Sequence, residues 1–138
     1  NITEACLMTG HEYSEGPYTK DYIEDLLRKL AQMGPRKVVL TGVYFDSEQL
    51  GAAAYDKESD SISFAFAEKI EGSYHGTGDV FGSVLLGALM NGLTIEKGIQ
   101  VAADFTSESI KRTKEAGTDR RFGVNFEAGL AGLKNRME

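Results

Sequence analysis

The spacing of apolar residues changes across Gly34-Pro35, and that change narrows the folds open to the chain. Before it, Ile23, Leu26, Leu27, Leu30 and Met33 recur every three or four positions, the spacing of one helix face. After it, Val38-Val39-Leu40 run without interruption, as in a parallel-sheet strand covered on both faces. Glycine and proline between the two stop the helix, since one ends it in a left-handed turn and the other cannot continue it. Neither an all-helical nor an all-β chain has this pattern, so an α/β fold is expected.

The flanking segments extend the pattern. Residues 3–9 predict a short helix ended by Gly10, and residues 11–18, with Gly16-Pro17, a polar loop. Thr19 is placed to cap the next helix, whose first turns carry Asp21, Glu24 and Asp25. A strand over 37–43 is followed by two more, over 50–55 and 62–66, joined as a hairpin through the polar turn 56–60. After Gly76-Thr77-Gly78, the residues Val80, Phe81, Val84, Leu85, Ala88 and Leu89 predict a helix closed by Asn91-Gly92. Thr94 caps another over 95–115, with Ile99, Ala102, Ala103 and Ile110 inward and Gly117 at its end. A last short strand is expected over 123–126 and a helical turn or two over 127–135. No internal repeat, linker or low-complexity stretch interrupts the series, and 138 residues suit one domain.

Composition removes several function classes. With 15 Lys and Arg against 21 Asp and Glu, the net charge of −6 opposes non-specific nucleic-acid binding, which needs clustered cations. Apolar runs fall well short of the ~20 residues that span a membrane, and no charged and then apolar leader opens the chain. A lone cysteine, Cys6, makes neither an internal disulfide nor a thiolate metal cluster, and its apolar surroundings suit a buried small hydrophobe. His11 and His75 are the only histidines, so a histidine metal site is not expected and both suit loop or packing roles. Arg120-Arg121, with Lys111, Arg112 and Lys114, reads most simply as a solvated face. A cytoplasmic location is expected.

Chemistry concentrates in Ser73-Tyr74-His75-Gly76-Thr77-Gly78-Asp79-Val80-Phe81-Gly82. Two glycines around a hydroxyl residue let a backbone come close to a ligand and aim successive N–H groups at one point. The helix that follows adds unpaired donors and the positive end of its dipole, so the segment suits an anion, most naturally phosphate. Asp79 would repel that anion unless it faces a neutral neighbour such as a hydroxyl awaiting deprotonation. A phosphate cradle beside a carboxylate is the layout for moving a phosphoryl group to an alcohol. The plainer reading is a tight turn with Asp79 capping the helix.

Four pieces of the chain resemble, in order, the vitamin B6 kinases, the pyridoxal and pyridoxamine kinase group of the ribokinase-like superfamily. Asn1-Ile2-Thr3-Glu4-Ala5 with Leu7-Met8-Thr9-Gly10 resembles the family's Asn-x-x-Glu helix start. Met33-Gly34-Pro35 leading into Val38-Val39-Leu40-Thr41-Gly42 is similar to its next helix-to-strand passage. His75-Gly76-Thr77-Gly78-Asp79-Val80-Phe81 resembles its anion hole and catalytic base, and the helices after Leu93 fit its closing helices. Hydroxymethylpyrimidine kinases are similar but commonly carry Cys after Gly-Thr-Gly, and the superfamily's sugar kinases usually carry Gly-Ala-Gly-Asp.

The resemblance implies a ribokinase-like three-layer α/β fold, of which residues 1–138 form the C-terminal, ATP-binding part. It implies that Gly76, Thr77 and Gly78 bind the γ-phosphate and that Asp79 accepts the proton of a vitamer's 5′-hydroxymethyl group. Asn1 and Glu4 would lie near the triphosphate and its Mg²⁺, with Glu4 acting on the metal through water, and Thr41 and Gly42 would line the nucleotide phosphates. ATP, Mg²⁺ and a monovalent cation such as K⁺ are the implied cofactors, and a B6 vitamer the implied substrate. The superfamily often forms homodimers. Because the family's chains are longer and carry Asn-x-x-Glu mid-chain, the missing N-terminal half is expected to hold most of the substrate pocket. The chain alone is then expected to be inactive and to expose sheet edge and apolar surface. Other readings are a hydroxymethylpyrimidine or sugar kinase of the same superfamily, or a non-catalytic nucleotide-binding module.

Overall fold

Asparagine at the first position decides where the first helix begins. Its side-chain oxygen accepts the Glu4 N–H at 2.9 Å, and Glu4 Oε2 takes the Asn1 amine at 3.0 Å, a reciprocal cap. Helix α1 therefore covers Ile2–Thr9, starting ahead of the expected segment, and ends as expected at Gly10 with φ 69°. The computed structural model describes residues 1–138, which divide into two compact units, Asn1–Phe66 and Ala67–Glu138.

In the first unit α1 is followed by α2 (Lys20–Gln32), β1 (Lys37–Val43), β2 (Gln49–Asp56) and β3 (Ser61–Glu68). Thr19 caps α2, its hydroxyl accepting the Tyr22 N–H at 3.2 Å. Ile23, Leu26, Leu27 and Leu30 are buried and share one core with Val38, Leu40 and Val43 of β1 and Ala53 and Tyr55 of β2. Each fully buried side chain of this size contributes about 1.5–3 kcal/mol, so this stripe is the main bond between helix and sheet. Met33 does not join it. The helix stops at Gln32, and Met33 lies beyond the last turn, 55% exposed.

The sheet has the order β1-β2-β3, and β1 runs antiparallel to β2, with Lys37 opposite Asp56 and Thr41 opposite Ala52. This corrects the expectation of a parallel strand buried on both faces. In β1 only Val38, Leu40 and Val43 are fully buried, while Ala52, Ala53, Ala54 and Tyr55 are buried without a break in the central strand β2. Gly42 has no partner between Thr41, opposite Ala52, and Val43, opposite Gly51. It forms a bulge with φ 76°, a conformation glycine adopts without a Cβ clash. A methyl carbon on Gly51 would stand 1.7 Å from the Ala65 carbonyl oxygen of β3.

The short turn between β2 and β3 permits only an antiparallel return, as expected. It is tied to α2 through Asp60, whose Oδ1 accepts from Arg28 Nη1 at 2.8 Å and from the Tyr55 hydroxyl at 2.9 Å.

The second unit contains α3 (Thr77–Met90), α4 (Ile95–Ala116), 3-10 turns at Arg120–Phe122 and Glu127–Gly129, and α5 (Leu130–Arg136). Thr94 caps α4 by accepting the Lys97 N–H at 3.3 Å, and Gly117 closes it with φ 63°. Phe81, Val84 and Ala88 of α3 are buried, as are Ile99, Ala102, Ala103 and Phe105 of α4, whereas Ile110 is half-buried. The helices meet closely at Gly98, where a Cβ would lie 3.1 Å from Leu85 Cδ1. No helix in the chain is long and apolar enough to cross a membrane.

The strand expected over 123–126 does not form. Val124 is buried, but the backbone of Asn125 bonds to side chains of α4 instead of to a strand. Its N–H donates to Thr113 Oγ1 at 2.7 Å, and its carbonyl accepts from Arg112 Nη1. Thr113 is itself buried and donates to the Ser109 carbonyl at 2.7 Å, so its hydroxyl both donates and accepts.

Two outcomes follow from these contacts. Gly51→Ala forces a methyl into the β3 backbone and is expected to lower stability by roughly 1–3 kcal/mol or more, read as the urea midpoint. For Asp60, the hydrogen bond from Arg28, and then that from Tyr55, holds the carboxyl below its ordinary value of 3.8. A depressed folded pKa adds stability above the unfolded pKa and loses it as pH falls through the folded value. Asp60→Asn is therefore expected to flatten the acid limb of a plot of urea midpoint against pH. An unchanged limb would mean that this pairing does not reach global stability.

Candidate active site

Helix α3 begins without a cap. Its N-cap residue, Gly76, has φ 82° and ψ 2°, and no side chain closes the end. Val80 makes the first helical bond, its N–H donating to the Gly76 carbonyl at 3.0 Å. The N–H groups of residues 77–79 precede it and have no helical acceptor, so donors and dipole both face outward here. Nothing lies within 4 Å of where a Cβ would stand on Gly76 or Gly78. The turn thus presents an open backbone and leading N–H groups outside the helical bonding.

Asp79 does not cap this helix. It lies in the first turn, exposed, and its carboxylate has neither a hydrogen bond nor a cation partner. Of the plainer sequence reading, the tight turn forms and the Asp79 cap does not. Thr77 is half-buried in the same turn, and His75 is exposed just before it.

Two contacts around this turn were not legible in the sequence. The Arg120 guanidinium lies over the Tyr74 ring, 5.3 Å from its centroid. Arg121 instead pairs with Asp119, Nη2 to Oδ2 at 2.6 Å. The expected solvated basic face is thus partly engaged, with Arg112 bonded to the Asn125 carbonyl.

In the first unit, the reciprocal cap of α1 holds Asn1 and Glu4 together. They line a groove of about 480 Å³ with Met8, Met33, Pro35 and Lys37 among its other walls. Lys37, the cation of this groove, was not singled out from the sequence. Thr41 and Gly42 do not line it and lie at the β1 bulge, where Gly42 has open space on its Cβ side. The expected site residues thus fall in two groups, Asn1, Glu4, Thr41 and Gly42 in one unit and residues 76–79 in the other.

Cys6 and His11 have packing roles, as expected. Cys6 is buried, with Sγ 3.4 Å from the Tyr22 hydroxyl, and burial followed by that contact pushes the Tyr22 phenol up to about 12. His11 packs edge-on against Tyr22 and bonds Lys29 Nζ at 2.8 Å. No three His, Cys, Asp or Glu side chains gather to hold a metal ion by themselves. Glu4 Oε1, however, has no protein partner, and Mg²⁺ commonly takes one or two carboxylates with phosphates and water supplying the rest.

The sequence profile of the phosphomethylpyrimidine kinase family matches residues 1–123. A hydroxymethylpyrimidine/phosphomethylpyrimidine kinase from Aquifex aeolicus is 28% identical over 119 residues, covering 85% of this chain and 44% of that protein. A candidate phosphomethylpyrimidine kinase from Bacteroides thetaiotaomicron superposes with a TM-score of 0.89 at 27% identity, covering 96% of this chain and 46% of that one. A second crystal form of that protein is described with pyridoxal, at a TM-score of 0.87. Pyridoxal kinase from Lactobacillus plantarum gives a TM-score of 0.83 at 29% identity, covering 96% of this chain and 47% of that one. The fold is thus the α/β, ribokinase-like fold expected, and the chain spans about half the length of the relatives it matches.

The two glycines of the turn respond differently to a methyl. Gly76→Ala places a side chain in left-handed backbone and is expected to cost about 1–2 kcal/mol of stability. Gly78→Ala lies inside the helix with open space around it and is expected to add roughly 0.5–1 kcal/mol. If the backbone of residues 76–78 holds an anion, the same methyl crowds its approach, so Gly78→Ala is then expected to gain stability and to weaken phosphate binding in a titration followed by NMR. Unweakened binding in that variant would place the anion elsewhere.

Proposed function

This chain belongs to the phosphomethylpyrimidine kinase family, and from that premise we propose that it is the nucleotide-binding half of an ATP-dependent kinase acting on the 5′-hydroxymethyl group of pyridoxal, pyridoxamine or pyridoxine. The observation that carries the proposal is the start of α3, where uncapped N–H donors stand beside a carboxylate without a partner.

Each residue then has a physical task. Residues 76–78 bring their backbone N–H groups to the γ-phosphate, whose transition state spreads charge over its outer oxygens. The substrate oxygen forms a bond to the γ-phosphorus as the bond to the ADP oxygen breaks, and its proton passes to Asp79. A carboxylate is a weak base, but the loose transition state asks for deprotonation only late, so orientation matters more than basicity. Glu4 would hold Mg²⁺ through water with its free oxygen, close to the Asn1 amide, and the metal would offset charge on the phosphates. Thr41 and Gly42 would line the nucleotide phosphates, where the bulge leaves the backbone uncovered. Most of the vitamer pocket would come from the half of the fold that this chain does not span.

A second reading, phosphorylation of hydroxymethylpyrimidine, is favoured by the family profile and by the Aquifex relative. Both substrates present a hydroxymethyl group on an aromatic nitrogen ring, so one cradle and one carboxylate serve either. Asp79 in place of the cysteine common among hydroxymethylpyrimidine kinases supports the B6 reading. So does the crystal form of the Bacteroides protein with pyridoxal.

The test is MgATP-dependent phosphorylation of the three vitamers and of hydroxymethylpyrimidine by the complete kinase polypeptide. Turnover of the vitamers is expected, and Asp79→Asn is expected to reduce it about 10²–10⁴-fold. Turnover of hydroxymethylpyrimidine alone would select the second reading. An Asp79→Asn enzyme as fast as the parent would remove the base assignment.

A further inference from the structure

No side chain within the turn at residues 76–79 holds its geometry. No side chain closes α3, both glycines face open space and Asp79 has no partner. A helix start of this kind frays readily, because its leading N–H groups contribute no bond. Support comes from the residues just before it. The Tyr74 ring carries the Arg120 guanidinium on its face, and its edge abuts Gly72, where a Cβ would come within 2.9 Å of the ring. On Gly123 a Cβ would lie 3.4 Å from the His75 carbonyl oxygen.

Arg120 and Gly123 bracket one 3-10 turn, joined by the Gly123 N–H to the Arg120 carbonyl at 3.2 Å. That turn is anchored in its own right. Asp119 caps it by accepting the Arg121 N–H at 3.0 Å, and Asn125 behind it is bonded to Arg112 and Thr113 of α4. Because Asp119 takes Arg121, Arg120 has no carboxylate partner, and its guanidinium is left to the aromatic face. Guanidinium groups stack on such faces and stay rigid when they do.

We infer that Tyr74 and Arg120 are positioning residues, whose stack clamps the approach to α3 onto the anchored 3-10 turn and so fixes how residues 76–79 present their N–H groups and the Asp79 carboxylate. The inference rests on the proposed reading of that turn as the phosphoryl site. The ring face does the holding, since the Tyr74 hydroxyl makes no hydrogen bond.

Val80 supplies the readout, being the first bonded amide of α3. In the 138-residue chain, Tyr74→Ala and Arg120→Ala are each expected to speed Val80 amide exchange about tenfold, measured by NMR, with Ile99 of α4 unchanged. Tyr74→Phe keeps the ring and is expected to exchange like the parent. The double Ala variant is expected to be no faster than either single one, since both remove the same contact. Unchanged Val80 exchange in both single Ala variants would overturn the clamp.

In the complete kinase the same pair is expected to lower kcat about tenfold while leaving KM for the alcohol in place, with Tyr74→Phe restoring the rate. A further tenfold loss on adding Arg120→Ala to Tyr74→Ala would make Arg120 a direct phosphate contact and overturn the positioning role. Faster Val80 exchange in a kinase that phosphorylates no alcohol would bring down the functional reading and leave the clamp standing.

Discussion

Backbone can approach backbone only where side chains are absent or small, and that constraint governs both units. At Gly51 the Ala65 carbonyl occupies the space of a Cβ, and the three alanines that follow present single methyls to both sides of the central strand. The sheet is therefore thin at its middle, and most of the bulky side chains that fill the core come from α2 and β1, joined by Ile2 of α1 and Tyr55 of β2. In the second unit Gly98 lets the Leu85 and Ala88 side chains of α3 lie directly on the backbone of α4. Packing near crystal density tolerates no extra carbon at such points, which is why they tolerate less than the surrounding leucines and valines.

Much of the fold was legible because its signals are local. The α2 stripe, the threonine caps at positions 19 and 94 and the glycine stops at 10 and 117 each depend on a few neighbouring residues. The errors concern questions that no short window can answer. Val38-Val39-Leu40 reads as doubly buried, yet which strand lies at the centre is decided by pairing, and a run of alanines carries no apolar period to announce it. Residues 123–126 read as a strand because Val124 is apolar, whereas hydroxyl and guanidinium groups from α4 take up the backbone of Asn125. Gly-Thr-Gly-Asp was legible as a turn leading into a helix from its own composition. Lys37 beside Glu4 and Arg120 over Tyr74 were not, because each depends on chain segments distant in sequence.

The start of α3 stands in an acidic chain, several of whose side-chain cations are engaged in ion pairs. Arg28 is held by Asp60, Lys29 by Asp25, Arg121 by Asp119 and Arg136 by Glu108. With a net charge of −6, the long-range field disfavours an approaching polyanion. On the proposed reading, attraction of a phosphate at α3 comes from backbone N–H groups and the helix dipole at close range. On that reading the site would select a phosphate by shape and hydrogen-bond direction more than by total charge.

The missing cap on α3 has a consequence for how ligand and fold relate. Most helices carry their own terminal acceptor, a side chain that closes the first turn as the chain folds. Here the sequence withholds it, and on the proposed reading a phosphate oxygen takes that place. The nucleotide is then a structural part of the helix as well as a reactant. Its binding and the ordering of the first turn become one equilibrium, with ligand concentration setting how much of the helix start is formed.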